Sequence, residues 1–139
     1  MSNLTRPIHE LVTDITAGKL RVVELVQESL DAIKANEAYH AILEVNPDAL
    51  NQAQELDQKI AAGEAGGDLL GIPYIAKDNF LTIGTHTTAS SHILEPFEAP
   101  YESTTTQKLK DAGAILVAKA NMDSFGHGSS TENSDFGPT

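Results

Sequence analysis

Two uninterrupted apolar runs, Leu69-Leu-Gly-Ile-Pro-Tyr-Ile-Ala76 and Ala114-Ile-Leu-Val-Ala118, constrain the fold of this 139-residue chain more than any other feature. Neither run alternates with polar residues, so each reads as a strand buried on both faces, as in parallel or mixed sheets covered by helices. Pro73 falls near the start of the first strand, where a missing N–H is tolerated. Between the runs, Ser103 is placed to cap a helix through Thr105, Leu109 and Ala112 that stops at Gly113. Strand, crossover and strand predict a βαβ unit.

The first half of the chain has helical periodicity. Leu4, Ile8, Leu11, Val12 and Ile15 recur at helix spacing behind Thr5 and Pro7, with Gly18 placed as the cap, and Val22, Leu25, Val26, Leu30 and Ile33 repeat the pattern. These two helices predict a hairpin. Ala41-Ile-Leu-Glu-Val45 is short enough for a strand. Asn46-Pro47 then predicts the start of a third helix, with Ala49, Ala53, Leu56 and Ile60 inward and Gly63 at its end. Three glycines in Gly63-Glu-Ala-Gly-Gly-Asp68 mark a linker. The expected division is a helical region at 1–62, a linker at 63–68 and the start of an α/β core at 69–139.

Charge and composition exclude several classes of function. Twenty acidic residues against nine Lys and Arg give a net charge of −11, which argues against direct binding of a phosphate backbone. No apolar run approaches the roughly 18–20 residues of a membrane span, and the opening MSNLTRPIHELVTDITAGKL has no continuous apolar core, so a cytoplasmic location is expected. The absence of cysteine rules out disulfides, zinc–thiolate sites and a cysteine nucleophile. Ile75-Ala-Lys-Asp-Asn79 has the wrong frame for a P-loop, and Gly126 and Gly128 lack the third glycine of a dinucleotide fingerprint. His86, His92 and His127 have no ligand spacing, and Ser124, His127 and Asp123 are too close in sequence to be expected to converge as a triad.

Lys77 is the most informative residue. It ends the first apolar strand, where open α/β sheets place their ligands. Desolvated there, it would favour its neutral amine and could serve as a base; alternatively, it leads the chain out of the core with its ammonium in water. Spacing alone leaves both readings open. The second constellation, Asn121 to Ser134, follows the second strand, and its small residues Gly126, Gly128, Ser129 and Ser130 suit a loop that approaches a polar substrate closely. A solvated turn is the other reading of that stretch.

Several motifs together resemble the amidase signature family, and within it the A-subunit branch of the aspartyl/glutamyl-tRNA amidotransferases. They are Gly71-Ile-Pro-Tyr-Ile-Ala-Lys-Asp-Asn79, Thr85-His-Thr-Thr-Ala-Ser90, Lys108 to Val117, Lys119-Ala-Asn-Met-Asp-Ser-Phe125, Gly128-Ser-Ser-Thr-Glu-Asn-Ser134 and Phe136-Gly-Pro138. The helical opening from Ile8-His-Glu-Leu11 to Val23-Glu-Leu-Val26 is similar to the same branch. The resemblance implies a mixed α/β sheet flanked by helices, preceded by the helical hairpin, of which only the N-terminal part lies here. It makes Lys77 the base of a Ser-cisSer-Lys triad, and it makes Gly128, Ser129 and Ser130 part of the substrate-lining loop.

The family's cis serine, in a Gly-Gly-Ser-Ser-Gly-Gly stretch beyond Phe-Gly-Pro, and its nucleophile, in a later Gly-Gly-Ser element, do not occur in these 139 residues. His127 stands where many relatives carry an apolar residue. The resemblance therefore implies part of a longer glutamine-hydrolysing protein, inactive by itself, with no cofactor of its own. It implies companion B and C subunits, ATP and Mg²⁺ used by the assembled complex, and charged tRNA held mainly by the B subunit. A stand-alone amidase for another small amide and a non-catalytic interaction fragment are the competing readings.

Overall fold

The computed structural model describes residues 2–139. Its chain order is α1 (Ile8–Thr16), α2 (Val22–Ala35), β1 (Ile42–Val45), α3 (Ala49–Ala61), β2 (Pro73–Lys77), α4 (Thr104–Asp111) and β3 (Ile115–Ala120). Leu4 lies outside the first helix, in a short turn over Asn3–Thr5, because Pro7 takes φ −58° and starts α1 only after it. Gly18 adopts φ +68° just past α1, as a left-handed cap requires. The N-terminus of α2 is capped across the structure. The Asp57 carboxylate on α3 accepts the N–H groups of Val22 and Val23 at 2.8 and 3.2 Å. Accordingly α2 packs most extensively on α3, while Leu11 and Ile15 of α1 enter the same core.

Asn46 does not cap α3 directly. Its Oδ1 accepts the Asp48 N–H at 3.0 Å and its amide donates to the Leu116 carbonyl at 2.8 Å, so it shapes the turn and ties it to β3, and the helix begins only at Ala49. Ser103 does cap α4, accepting the Thr106 N–H at 3.2 Å.

The three strands form one mixed sheet in the order β1-β3-β2, with β1 antiparallel and β2 parallel to the central β3. The sheet joins what a linker at 63–68 would separate. The core cluster combines Leu11, Ile15, Val22, Leu25, Val26, Ala49 and Ala53 with Leu70, Ile72, Ile115 and Val117. The glycine-rich stretch is no free tether either. Gly67 lies so close to the end of α4 that a Cβ on it would fall 2.3 Å from the Ala112 carbonyl oxygen, and Leu69 N–H and Gly71 N–H bond to the carbonyls of Ala112 and Gly113 at 3.0 and 2.8 Å. Residues 63–68 thus change the chain's texture without dividing its core.

The burial expected of the first apolar strand needs correction. β3 is buried along almost its whole length, but β2 is an edge of this sheet, and Ile75 on it is 47% exposed. An apolar run cannot distinguish a strand covered on both faces from one whose second face is open within these residues.

Candidate active site

Lys77 closes β2 opposite Ala120, and its neighbour Ala76 lies opposite Lys119. Side chains alternate along a strand, so Lys77 and Lys119 leave the sheet on opposite faces. They meet opposite fates. The Lys77 side chain is exposed, with no hydrogen bond or ion pair to its Nζ among the described residues. Burial around this side chain is therefore not supplied within residues 2–139, where the face of the edge strand that carries it is open.

Lys119 is the buried lysine. It has 0% exposure, and its Nζ lies 3.0 Å from Asp78 Oδ1. It also donates to the carbonyls of Phe80 and His86 at 3.1 and 2.9 Å and to Thr87 Oγ1 at 3.1 Å. Asp78, 1% exposed, is satisfied on its other side: Oδ2 accepts the Thr88 N–H at 2.9 Å and the Thr88 hydroxyl. A buried charge tolerates its loss of water only with such full pairing. The apolar run ends at Ala118, so a strand drawn from that run alone passes over Lys119. The register of β3 against β2 shifts at Val117, so period-two counting along the strand does not assign Lys119 a face; its burial emerges from the pairing of Ala76 with Lys119 and the return of Asp78 beneath it.

The hydroxyl-rich loop and the segment after β3 converge at the carboxyl ends of the strands. Asp78 O accepts the Ala89 N–H at 3.0 Å, and Ala89 O accepts the Phe125 N–H at 2.9 Å. Asn121 forms the junction: its Oδ1 accepts from the hydroxyls of Ser90 and Ser134 at 3.1 and 2.7 Å, and its amide donates to the carbonyls of His40 and Gly137 at 3.0 and 2.8 Å. Ala89 and Ser90 hold φ +50° and +54°, two consecutive non-glycine residues in left-handed conformation. Strain of this kind costs about 1–3 kcal/mol per residue and concentrates at functional sites.

Gly128, Ser129 and Ser130 are exposed, and the Ser130 hydroxyl donates to Glu132 at 2.9 Å. Gly128 is needed where it stands, because a Cβ there would lie 2.5 Å from Asp123 Oδ1. The loop is cross-braced: Asn133 accepts the Ser124 N–H at 2.9 Å and donates to the His127 carbonyl at 2.7 Å. Ser124, His127 and Asp123 form no side-chain triad among the described residues. His86 Nδ1 sits 3.2 Å from Glu44, and His92 lies 3.0 Å from Glu95 and edge-on to Phe136 at 4.7 Å. No group of side chains among the described residues has the makings of a metal site. Asp135 accepts the backbone N–H of His92 and the Ser91 hydroxyl, which holds its carboxyl below the usual range.

Two concavities flank this arrangement, and Lys77 lines neither. One, of about 940 Å³, runs between α2 and the sheet past Tyr39, Val45, Tyr74 and Ile75. Burial, and then repulsion from Glu102, push the Tyr74 phenol up to about 12. The other, of about 420 Å³, is bordered by Glu44, Asp78, His86 and Thr88. No helix among the described residues is long and apolar enough to cross a membrane.

The glutamyl-tRNA(Gln) amidotransferase A-subunit of Nostoc punctiforme is 51% identical over 131 residues, which is 93% of this chain and 27% of that protein. The crystal structure of its counterpart from Thermotoga maritima superposes with a TM-score of 0.71 at 34% identity, covering 92% of this chain and 26% of that one. The native peptide amidase of Stenotrophomonas maltophilia superposes with a TM-score of 0.83, also at 34% identity, over 87% of this chain and 26% of that one. The chain thus spans about a quarter of the length of these relatives. The amidase family model matches residues 24–139, and the chain belongs to the amidase family.

Proposed function

We propose that the chain is the N-terminal part of the glutamine-hydrolysing component of a tRNA-dependent amidotransferase, with Lys77 as the base of its amide hydrolysis. The observation that carries this reading is the 51% identity to a glutamyl-tRNA(Gln) amidotransferase A-subunit across 93% of the chain. In the complete protein, one serine hydroxyl attacks the glutamine side-chain carbonyl, and a second serine passes its proton to the neutral Lys77 Nζ. Ammonia leaves with a proton returned along the same path, and water then hydrolyses the acyl ester to glutamate. Neither serine lies within these 139 residues, so the chain alone is inactive. Gly128, Ser129 and Ser130 line the substrate. Companion B and C subunits complete the assembly in the cytoplasm. The B subunit holds the misacylated tRNA and uses ATP and Mg²⁺ to activate the acyl carboxylate, in keeping with the −11 charge of this chain.

The test is conversion of Glu-tRNA(Gln) or Asp-tRNA(Asn) to the amidated form by the full-length product co-purified with its partners. Glutamine-dependent amidation and a three-component complex are expected. A full-length product that purifies alone and releases ammonia from another amide but not from glutamine would favour a stand-alone amidase. That second reading draws on the higher TM-score to the peptide amidase, 0.83 against 0.71.

A further inference from the structure

We propose that the buried Asp78–Lys119 pair is the positioning device for Lys77, fixing the chain on leaving β2 so that the Lys77 amine is held at the sheet's carboxyl end. The inference rests on the reading of Lys77 as the base, and it assigns a role to two residues that do not touch the reacting atoms.

The geometry is local and closed. Lys77 is bracketed by backbone bonds: Asp78 N–H donates to Ala120 O at 3.1 Å, and Phe80 N–H returns to Lys77 O at 3.0 Å, which makes the tight turn out of the strand. The same turn is gripped from the opposite face of the sheet. Lys119 Nζ holds Asp78 by its carboxylate and Phe80 by its carbonyl, and reaches His86 and Thr87 on the returning arm of the loop. Asp78 in turn fixes Thr88 through two bonds and Ala89 through its carbonyl. One ammonium and one carboxylate thereby fasten both arms of the 78–91 loop to the central strand.

A turn at an edge strand otherwise has soft dihedrals, and an exposed lysine on a four-carbon stem ranges widely. A displacement of about 1 Å at a reacting group costs on the order of a hundredfold in rate. The pair removes the backbone's share of that freedom. Stability alone does not call for a salt bridge in a core, since well-packed hydrophobic residues do as well or better there. A polar pair suits this place because it must orient carbonyls, a hydroxyl and N–H groups around the residue next to the base.

The experiment uses the full-length protein in its complex, with glutaminase turnover measured as a function of pH. In Asp78→Asn, kcat is expected to fall at least about tenfold while the KM for glutamine changes less than about threefold. The limb of the kcat–pH profile that disappears in Lys77→Met is expected to move by at least about half a pH unit. Val22→Ala, a core change remote from the turn, is expected to lower thermal stability without moving kcat or that limb. If Asp78→Asn does not fold, Thr88→Val, which removes one donor to Asp78, is read in the same way. The inference is overturned if Lys77→Met lowers turnover by at least about a hundredfold while the folded Asp78 or Thr88 variant keeps kcat within about twofold and an unmoved profile. Undiminished turnover in Lys77→Met would instead overturn the reading of Lys77 itself.

Discussion

Lys119→Met removes the ammonium from the core but keeps a side chain of similar length, so no large cavity confuses the result. What remains is the Asp78 carboxylate, buried with only the Thr88 N–H and hydroxyl as donors, and the Phe80 and His86 carbonyls without the donor they had. Breaking one side of a buried pair costs about 3–5 kcal/mol, mostly from the stranded charge. Against a total stability of about 5–15 kcal/mol for an ordinary domain, that is a large share of what holds the fold. Replacing both partners, as in Asp78→Leu with Lys119→Met, removes the stranded charge, so the double variant is expected to be at least about 2 kcal/mol more stable than the sum of the single effects predicts. Urea unfolding followed by circular dichroism, run as a double-mutant cycle at constant m-value, measures this. A single-variant loss below about 0.5 kcal/mol, or strict additivity, would refute the account of Lys119 as a charge held by mutual satisfaction.

Other outcomes follow from single contacts. Gly67→Ala is expected to destabilise the fold by about 2 kcal/mol or more, because its Cβ would fall 2.3 Å from a backbone oxygen at φ +144°; a denaturation midpoint equal to the parent's would contradict that close approach. Asp135 has a folded value held below its ordinary 3.8, so its contribution is present above that value and lost as pH falls through the lower one. The acid limb of stability is expected to be shallower in Asp135→Asn, as an acid titration followed by circular dichroism would record. The opposite sign holds for Tyr74. The unfolded phenol ionises near 10 and the folded one near 12, so stability falls as pH rises above 10, and a tyrosinate absorbance step near 12 should vanish in Tyr74→Phe.

The strands, the helices and the βαβ order are legible in the sequence because each rests on a local signal: unbroken apolar runs, a 3.6-residue period, and a serine or glycine at a helix end. What local signals cannot carry is pairing. β1 bonds to β3 from far along the chain, Ile42 opposite Ala120, and that pairing makes one core of two regions on either side of a glycine-rich stretch. The site divides in the same way. The motif at Lys77 is visible in the sequence, but not that this lysine lies open on an edge strand while Lys119 takes the buried position. An apolar run reports that a strand is buried somewhere, whereas which of two lysines loses its water depends on which strand is central and where the nearest carboxylate returns. Asn121 is likewise visible as part of a polar stretch, and its role as a junction emerges only where the segments carrying His40, Ser90, Ser134 and Gly137 meet on it.

The most direct test of the central claim is ammonia release from glutamine by the full-length protein, with and without Lys77. Loss of a general base costs about 10²–10⁴-fold, so Lys77→Ala in the assembled complex is expected to lower kcat by at least about a hundredfold while the complex still forms. Turnover within about tenfold of the parent, in a variant that folds and assembles, would contradict the assignment of Lys77 as the base.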